Sequence, residues 1–157
     1  MAVALAACGS SSTPTATAGS SQWTPSPAGK WGTEPTVTFP SAAAPTSLVK
    51  EDLITGTGAV AAAGDTVTVQ YVGASYQIKK VFQASWNTNG PFSFPLGEGQ
   101  VISGWDQGVP GMKVGGRREL IIPPALAYGA NPPSGSGIPS NETLIFIVDL
   151  LKVQPAS

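Results

Sequence analysis

The sequence predicts an α+β domain in which a twisted antiparallel sheet of five or six strands wraps around one short helix. Two observations support this fold class. Apolar and polar residues alternate along several short segments, as is typical of half-buried strands. Between residues 101 and 109 the large apolar residues instead recur at helical spacing, in a segment too short to form a stable helix alone. Such a helix needs other elements packed around it.

The central segment, residues 92–108, combines a strand, a glycine-rich turn and this short helix. Ser103 is a suitable N-cap, and Asp106 three residues later completes the capping pattern. Gly108 favours the end of a helix, and Pro110 prevents the helix from continuing. The glycines of the turn lack the Lys-Ser/Thr pair of a phosphate-binding loop, so we do not assign them that role.

The other strands are predicted in chain order at 48–54, 66–72, 75–84, 117–122 and 143–151. We expect Arg117 and Arg118 to be surface charges, one facing solvent and one at a sheet edge. Ile145 and Ile147 lie on the outward side of the last strand, and we expect residues 37–39 to cover them, because such side chains rarely stay exposed together on a monomer. The Pro-, Gly- and Ser-rich loop before this strand is long enough to indicate a functional role.

Two segments precede the predicted domain. Residues 1–8 end in Leu-Ala-Ala-Cys, which resembles a bacterial lipobox with Cys8 as the lipidated residue. A disordered terminus with an incidental thiol is the alternative, because the apolar run is short and a basic start is missing. Residues 9–34 are rich in Ser, Thr, Ala, Pro and Gly and are predicted to be a disordered linker. The domain is expected to span residues 35–157.

Composition restricts the chemistry available to this chain. Charged residues make up 11% of it, and the net charge of −1 gives no electrostatic basis for binding nucleic acid. The chain has no histidine and one cysteine, which excludes Ser-His and Cys-His nucleophile pairs, an internal disulfide and most zinc sites. We therefore predict no metal, no cofactor, and membrane contact only through a lipid on Cys8. A monomer is expected.

Four motifs carry a resemblance to a known family. They are VTVQYVG at 67–73, VF at 81–82, the continuous stretch 91–129, and GIPSNETLIFIVDLL at 137–151. In this order and with nearly this spacing, they resemble the FKBP-type peptidyl-prolyl cis-trans isomerases, the macrolide-binding immunophilins. The resemblance covers roughly residues 48–153. It implies an antiparallel sheet curled around a short helix, which agrees with the fold class predicted above.

The resemblance implies an aromatic pocket for the proline of a peptide substrate. Trp105 on the short helix would form its floor, the Ile102 backbone N–H would hold a substrate carbonyl, and Tyr128 would donate its hydroxyl from the long loop. Considered singly, each aromatic residue would be ordinary core; the family spacing makes them a site. The residues assigned to catalysis are Tyr71, Phe82, Gln83, Trp105, Tyr128 and Phe146, and those assigned to substrate binding are Phe92, Val101, Ile102 and Ile138.

One pocket position departs from the family pattern. Gln83 follows the wall phenylalanine, Phe82, where the family usually has an aspartate whose carboxylate accepts hydrogen bonds inside the pocket. Glutamine keeps an acceptor oxygen, loses the charge and adds two donors. The rim differs too, because Thr88 stands where an arginine is common. We expect these differences to affect macrolide binding and the rate of catalysis.

An aromatic pocket can catalyse rotation about an X-Pro bond without a nucleophile, a metal or an ionised base. The amide rotates over a barrier of about 18–20 kcal/mol. Its carbonyl loses part of its dipole in the twisted transition state, so a dry apolar pocket favours that state. The predicted function is a peptidyl-prolyl isomerase that assists folding of extracytoplasmic proteins, either membrane-anchored or secreted. Its partners would be proline-containing peptides, unfolded proteins and macrolide ligands. The alternatives are a non-catalytic module that binds proline peptides and a chaperone-like scaffold.

Overall fold

The fold is a six-stranded antiparallel sheet with a short helix packed on one face. The computed structural model describes residues 25–88 and 90–156. The elements are β1 Val49–Ile54, β2 Thr66–Ser75, β3 Lys80–Ala84, β4 Phe92–Pro95, α1 Ser103–Gly108, β5 Arg117–Ile122 and β6 Leu144–Gln154. The strand order is β1-β5-β6-β2-β3, and β4 continues along the edge of β2 that β3 occupies. The predicted fold class is confirmed.

Strands β5 and β6 lie at the centre of the sheet, where β5 and residues 144–150 of β6 are buried on both faces. Successive side chains of a strand point to opposite faces. We call the face with the even-numbered residues of β5 and of residues 144–150 of β6 the inner face; there Leu120 and Phe146 pack in the main core with Trp105. The odd-numbered residues form the outer face, where Ile121 and Ile145 belong to a second buried cluster. Both faces therefore need a cover.

Helix α1 covers part of the inner face through close contact at two glycines. A β-carbon added at Gly104 or Gly108 would overlap the side chain of Ile122 or Leu120, respectively. Between these glycines, Trp105 is buried in the core. None of the described helices is long and apolar enough to cross a bilayer.

The predicted capping of α1 is wrong. Ile102 is the N-cap residue, and no side chain in the described part of the chain caps the helix. The Asp106 carboxylate instead accepts hydrogen bonds from the backbone N–H groups of Gly97 and Gly99, at 2.8 and 2.9 Å. Asp106 therefore fixes the turn before the helix, and those two N–H groups are occupied by a carboxylate of the chain itself.

The segment before β1 covers the outer face. Val37 and Phe39 pack against the cluster that contains Tyr76 and Ile145, which confirms the expected cover over Ile145. The Tyr76 hydroxyl donates to the Ala42 carbonyl at 3.1 Å. This segment therefore contacts Tyr76, the residue that follows β2, through both apolar and polar contacts.

Packing of this segment begins earlier than the predicted domain boundary at residue 35. The Ser26 N–H and hydroxyl donate to the carboxylate of Glu119 at 2.8 and 2.6 Å, and the indole of Trp31 donates to the Gly116 carbonyl at 3.1 Å. Residues 26–33, placed in the linker by composition, therefore belong to the packed domain. Residues 1–24, which include the lipobox with Cys8 and the first part of the predicted linker, lie outside the described residues.

The prediction that Arg117 and Arg118 are surface charges is wrong, since both are buried. Arg117 makes a bidentate pair with Asp149 on the outer face, with bonds of 2.5 and 2.7 Å. On the inner face, Arg118 pairs with Asp52 and donates to the Gly108 carbonyl at the end of α1. A cation is favourable at a helix C-terminus, so this charge stabilises the helix as well.

Candidate active site

An open pocket lies where α1, the strands of the inner face and the loop after β5 meet. Its cavity volume is about 200 Å³. It is lined by Tyr71, Phe82, Gln83, Phe92, Gln100, Val101, Ile102, Trp105, Tyr128 and Phe146. Nine of the ten pocket residues predicted from sequence therefore meet here. Sequence reasoning missed Gln100, which carries no signal beyond its place before Val101.

Four aromatic rings surround Trp105 at the base of the pocket, three of them edge to face and Phe94 tilted at 5.5 Å. Its ring centroid lies 5.1 Å from that of Tyr71 and 5.2 Å from that of Phe146, with interplanar angles of 84° and 89°. Phe92 makes a third edge contact at 6.4 Å. Edge-to-face contacts of this kind are the favoured aromatic geometry. The indole ring therefore has a fixed orientation as the pocket floor.

The back wall of the pocket depends on a glycine in β2. The rings of Phe82 and Phe146 meet edge to face, with centroids 5.9 Å apart, directly over Gly73. A β-carbon at Gly73 would lie 2.6 Å from Phe146 Cε1 and 2.9 Å from Phe82 Cζ. The glycine thus lets both rings approach the sheet. A glycine inside a strand pattern is a signal of such close approach.

The turn before α1 presents backbone polar groups to the pocket. The Ile102 carbonyl accepts the first hydrogen bond of the helix, from Trp105 N–H at 2.9 Å. Among the described residues, no group accepts a hydrogen bond from the Ile102 N–H. Because Asp106 fixes the preceding turn, this donor is held in place beside Val101 at the pocket wall.

Tyr128 lies at the mouth of the pocket, 36% exposed, in the loop that follows β5. The loop is closed at its base, where Asn141 N–H donates to the Gly129 carbonyl at 2.7 Å. Burial raises the pKa of both Tyr71 and Tyr128, and repulsion between the two phenolates, if both were ionised, raises the pKa of Tyr71 further. Both hydroxyl groups therefore remain protonated donors at neutral pH.

The pocket carries no ionised side chain. None of its ten lining residues is Asp, Glu, Lys or Arg; Gln83 and Gln100 supply its side-chain amides. Gln83 is exposed on β3, opposite Gly73 of β2. Within residues 25–88 and 90–156, no three His, Cys, Asp or Glu side chains are grouped so that they could hold a metal ion. The arrangement can bind a neutral, apolar group and hydrogen-bond its carbonyls.

Ile138 is the predicted pocket residue that the structure places outside the pocket. It lines an adjoining depression of about 360 Å³, which shares Phe82, Gln83 and Tyr128 with the pocket. Its side chain is buried, with 8% exposed. The loop, which is closed between Gly129 and Asn141, therefore directs Ile138 into the main core beside the pocket.

The sequence of this domain matches a known family. Residues 58–151 match the family model of the FKBP-type peptidyl-prolyl cis-trans isomerases. The chain belongs to this family, and its enzyme class is peptidyl-prolyl cis-trans isomerase.

Relatives are similar to this chain over most of its length. An FK506-binding protein of Streptomyces anulatus is 55% identical over 120 residues, covering 76% of this chain and 97% of the relative. A probable FK506-binding protein of Corynebacterium glutamicum is 47% identical over 119 residues, covering 75% of this chain and 97% of the relative. The crystal structure of AtFKBP13 is similar with a TM-score of 0.62 and 37% identity, covering 69% of this chain and 94% of that one. FkpA from Escherichia coli also gives a TM-score of 0.62, at 42% identity, covering 70% of this chain and 49% of that one. The chain therefore spans about half of the Escherichia coli protein.

Proposed function

We propose that the pocket binds the proline ring of a peptide over Trp105 and catalyses rotation about the preceding amide bond. The observation that carries this proposal is the edge-to-face packing of Tyr71, Phe92 and Phe146 around Trp105. It leaves a fixed apolar floor that remains open to solvent on one side. A pocket of about 200 Å³ has room for a proline ring and the peptide bond beside it.

Catalysis in this pocket follows from differential stabilisation of the twisted amide. The planar amide is polar and well solvated by water, whereas the twisted amide has a smaller carbonyl dipole. An uncharged aromatic pocket therefore destabilises the planar state relative to the twisted one. Each decrease of about 1.4 kcal/mol in the activation free energy increases the rate tenfold. The Ile102 N–H and the Tyr128 hydroxyl would bind the carbonyls on either side while the amide rotates.

The cellular setting belongs to the same proposal. We propose an isomerase that assists folding of extracytoplasmic proteins, anchored to the bacterial membrane by a lipid on Cys8. The sequence Leu-Ala-Ala-Cys and the Ser-rich residues after it support the anchor. Relatives named FK506-binding proteins support macrolide binding by this chain. Gln83 favours a weaker second candidate, a module that binds proline peptides without turnover, because it lacks the carboxylate that the family usually has there.

The test is isomerisation of short X-Pro peptides by the full chain, compared with Trp105→Ala and Gln83→Asp. We expect turnover in the wild type and a fall in kcat/KM of about 100-fold or more in Trp105→Ala, since both the floor and its edge contacts are lost. Trp86→Ala is a matched control, because this indole does not line the pocket.

The outcomes separate the candidates. Turnover that collapses only in Trp105→Ala supports the isomerase. Turnover that appears only after Gln83→Asp would favour the binding module, and turnover retained in Trp105→Ala would contradict the proposed pocket. Mass spectrometry of the membrane-bound protein tests the proposed lipid anchor, and an unmodified Cys8 would contradict it.

A further inference from the structure

Large apolar side chains that remain exposed are concentrated beside the pocket. At its mouth, Phe92 and Tyr128 are 40% and 36% exposed. Next to it, around the start of β3, Ile78 and Val81 are 48% and 44% exposed. Single exposed apolar residues need no explanation, but a group of them next to a pocket is typical of a binding surface.

A chain of depressions connects these residues to the pocket. The depression at Ile138 shares Phe82, Gln83 and Tyr128 with it. A further depression of about 240 Å³, which we call the β3 groove, is lined by Ile78, Lys80, Val81, Phe82, Ser136 and Gly137. Phe82 belongs to all three. An extended chain bound in the pocket can therefore continue along the surface into the β3 groove.

Hydrogen bonds hold the two walls of the β3 groove together. One wall begins at the turn between β2 and β3, and the other is the loop that ends at residue 142. Gln77 N–H donates to Glu142 Oε2 at 2.7 Å, and Thr143 N–H donates to Gln77 Oε1 at 3.0 Å. Tyr76 N–H donates to the Thr143 carbonyl at 2.9 Å. These bonds join the two walls at the base of the groove, so a ligand does not have to bring the walls together.

We propose that the β3 groove binds an apolar side chain of an unfolded polypeptide whose proline occupies the pocket. This inference rests on the proposed function, because a proline in the pocket sets where the rest of the substrate runs. Ile78, Val81 and Phe82 supply apolar contact, while Ser136 and Gly137 are small and leave space. Flanking residues can reach the groove because an extended chain advances by about 3.3 Å per residue.

The charge of Lys80 makes the groove less favourable for cationic residues of a substrate. Lys80 is exposed there and is the one charged residue among the lining side chains. A second cation brought next to it would be repelled, whereas an apolar residue would cover its aliphatic stem. The preferred substrates are therefore unfolded segments that carry an apolar residue, rather than Lys or Arg, at the distance from proline that the groove defines.

The experiment uses the full chain and alanine-based peptides with one X-Pro bond. A single leucine is moved from about two to about six residues before or after the proline, over the length that an extended chain needs to reach the groove. Both kcat/KM and the Kd of each peptide are measured. We expect one position to improve both by about five- to tenfold over the all-alanine peptide, as partial burial of a leucine side chain would give.

Variants locate this gain on the protein. In Ile78→Ser and Val81→Thr, the ratio between the leucine and alanine peptides should fall towards one. Val60→Thr is the matched control, because Val60 is 52% exposed but does not line the groove, and there the ratio should stay at the wild-type value. A ratio near one at every leucine position in the wild type, or a gain that survives in Ile78→Ser and Val81→Thr, overturns the proposal.

Failure of the groove is distinguishable from failure of the proposed function. If the wild type turns over the all-alanine peptide but leucine gives no gain, the isomerase stands and the groove does not. If no peptide is turned over, the proposed catalytic function fails. The Kd values alone then test the groove, through the ratio between the leucine and alanine peptides in the wild type and in the same variants.

Discussion

The two faces of the central strands are buried in different ways. On the inner face, Leu120 and Phe146 pack against the core around α1, and aromatic rings beside them remain accessible as the pocket. On the outer face, charged side chains lie among the apolar ones, and a segment starting near residue 26 covers them. The difference suggests a division of roles. The inner face keeps a rigid apolar surface open to a ligand, while the outer face contributes stability.

The largest effect is expected when the buried ion pair of the outer face is broken. In Asp149→Ala, the Arg117 guanidinium remains buried without its carboxylate partner, and we expect a loss of about 3–5 kcal/mol in the free energy of unfolding. Urea titration measures this loss. The kcat/KM per folded molecule should stay at the wild-type value, because Asp149 points away from the pocket.

Asp149→Asn is the matched control, because it keeps an oxygen that can accept from Arg117. It should lose less stability than the alanine variant. Equal losses would mean that the hydrogen bonds at this site matter little, and a large fall in kcat/KM would contradict the division between the faces.

A smaller effect is expected at the inner face from Gly73→Ala. The added methyl group would force Phe82 and Phe146 away from the sheet, at a cost of about 1–3 kcal/mol in stability. Since both rings form the back wall of the pocket, kcat/KM should fall together with the urea midpoint. Wild-type turnover in a stably folded Gly73→Ala protein would show that the position of these rings does not matter.

Two tyrosine-to-phenylalanine variants compare the faces directly. Tyr128→Phe removes a hydroxyl at the pocket mouth, so we expect kcat/KM to fall about three- to tenfold with little change in melting temperature. Tyr76→Phe removes the bond to the Ala42 carbonyl on the outer face. It should lower the free energy of unfolding by about 1 kcal/mol and leave turnover unchanged. The reverse pattern would contradict the comparison.

The smallest effect concerns pH. Burial raises the pKa of Glu119 above its ordinary value of 4.5, although hydrogen bonds from Ser26 oppose the shift and Glu51 adds to it. The folded protein therefore binds this proton more tightly than the unfolded chain. The resulting stabilisation is present below about pH 4.5 and is lost as pH rises through the folded pKa.

Glu119→Gln should remove this contribution. We expect its free energy of unfolding to decline less than that of the wild type as the pH is raised from about 4 to about 7. By contrast, kcat/KM should stay level over this range, since the pocket has no ionised side chain. Parallel stability curves for the two proteins would contradict the role of Glu119.

Much of the fold was predictable because it depends on local patterns. The alternation in β5 and β6 and the helical spacing around Trp105 are properties of neighbouring residues. Nine pocket residues were identified from motif spacing, which depends on resemblance to a family rather than on geometry. Gln100 was missed, and Ile138 was assigned to the pocket although it lines the depression beside it, because the path of a long loop cannot be read from its composition.

The sequence by itself determined most of the strands, the short helix, and the absence of histidine that restricts the chemistry. The strand predicted at 75–84 was wrong in part, because residues 76–79 form the turn between β2 and β3. Tertiary structure alone decided the partners of the charged residues. Asp106 binds the turn before α1 instead of capping the helix, and Arg117 is buried against Asp149 and residues 28–33. A carboxylate or guanidinium is satisfied by whichever polar groups the fold brings within reach, and for Arg117 those groups lie 32 to 89 residues away along the chain. Periodicity reports which face a residue occupies, but not what will cover that face.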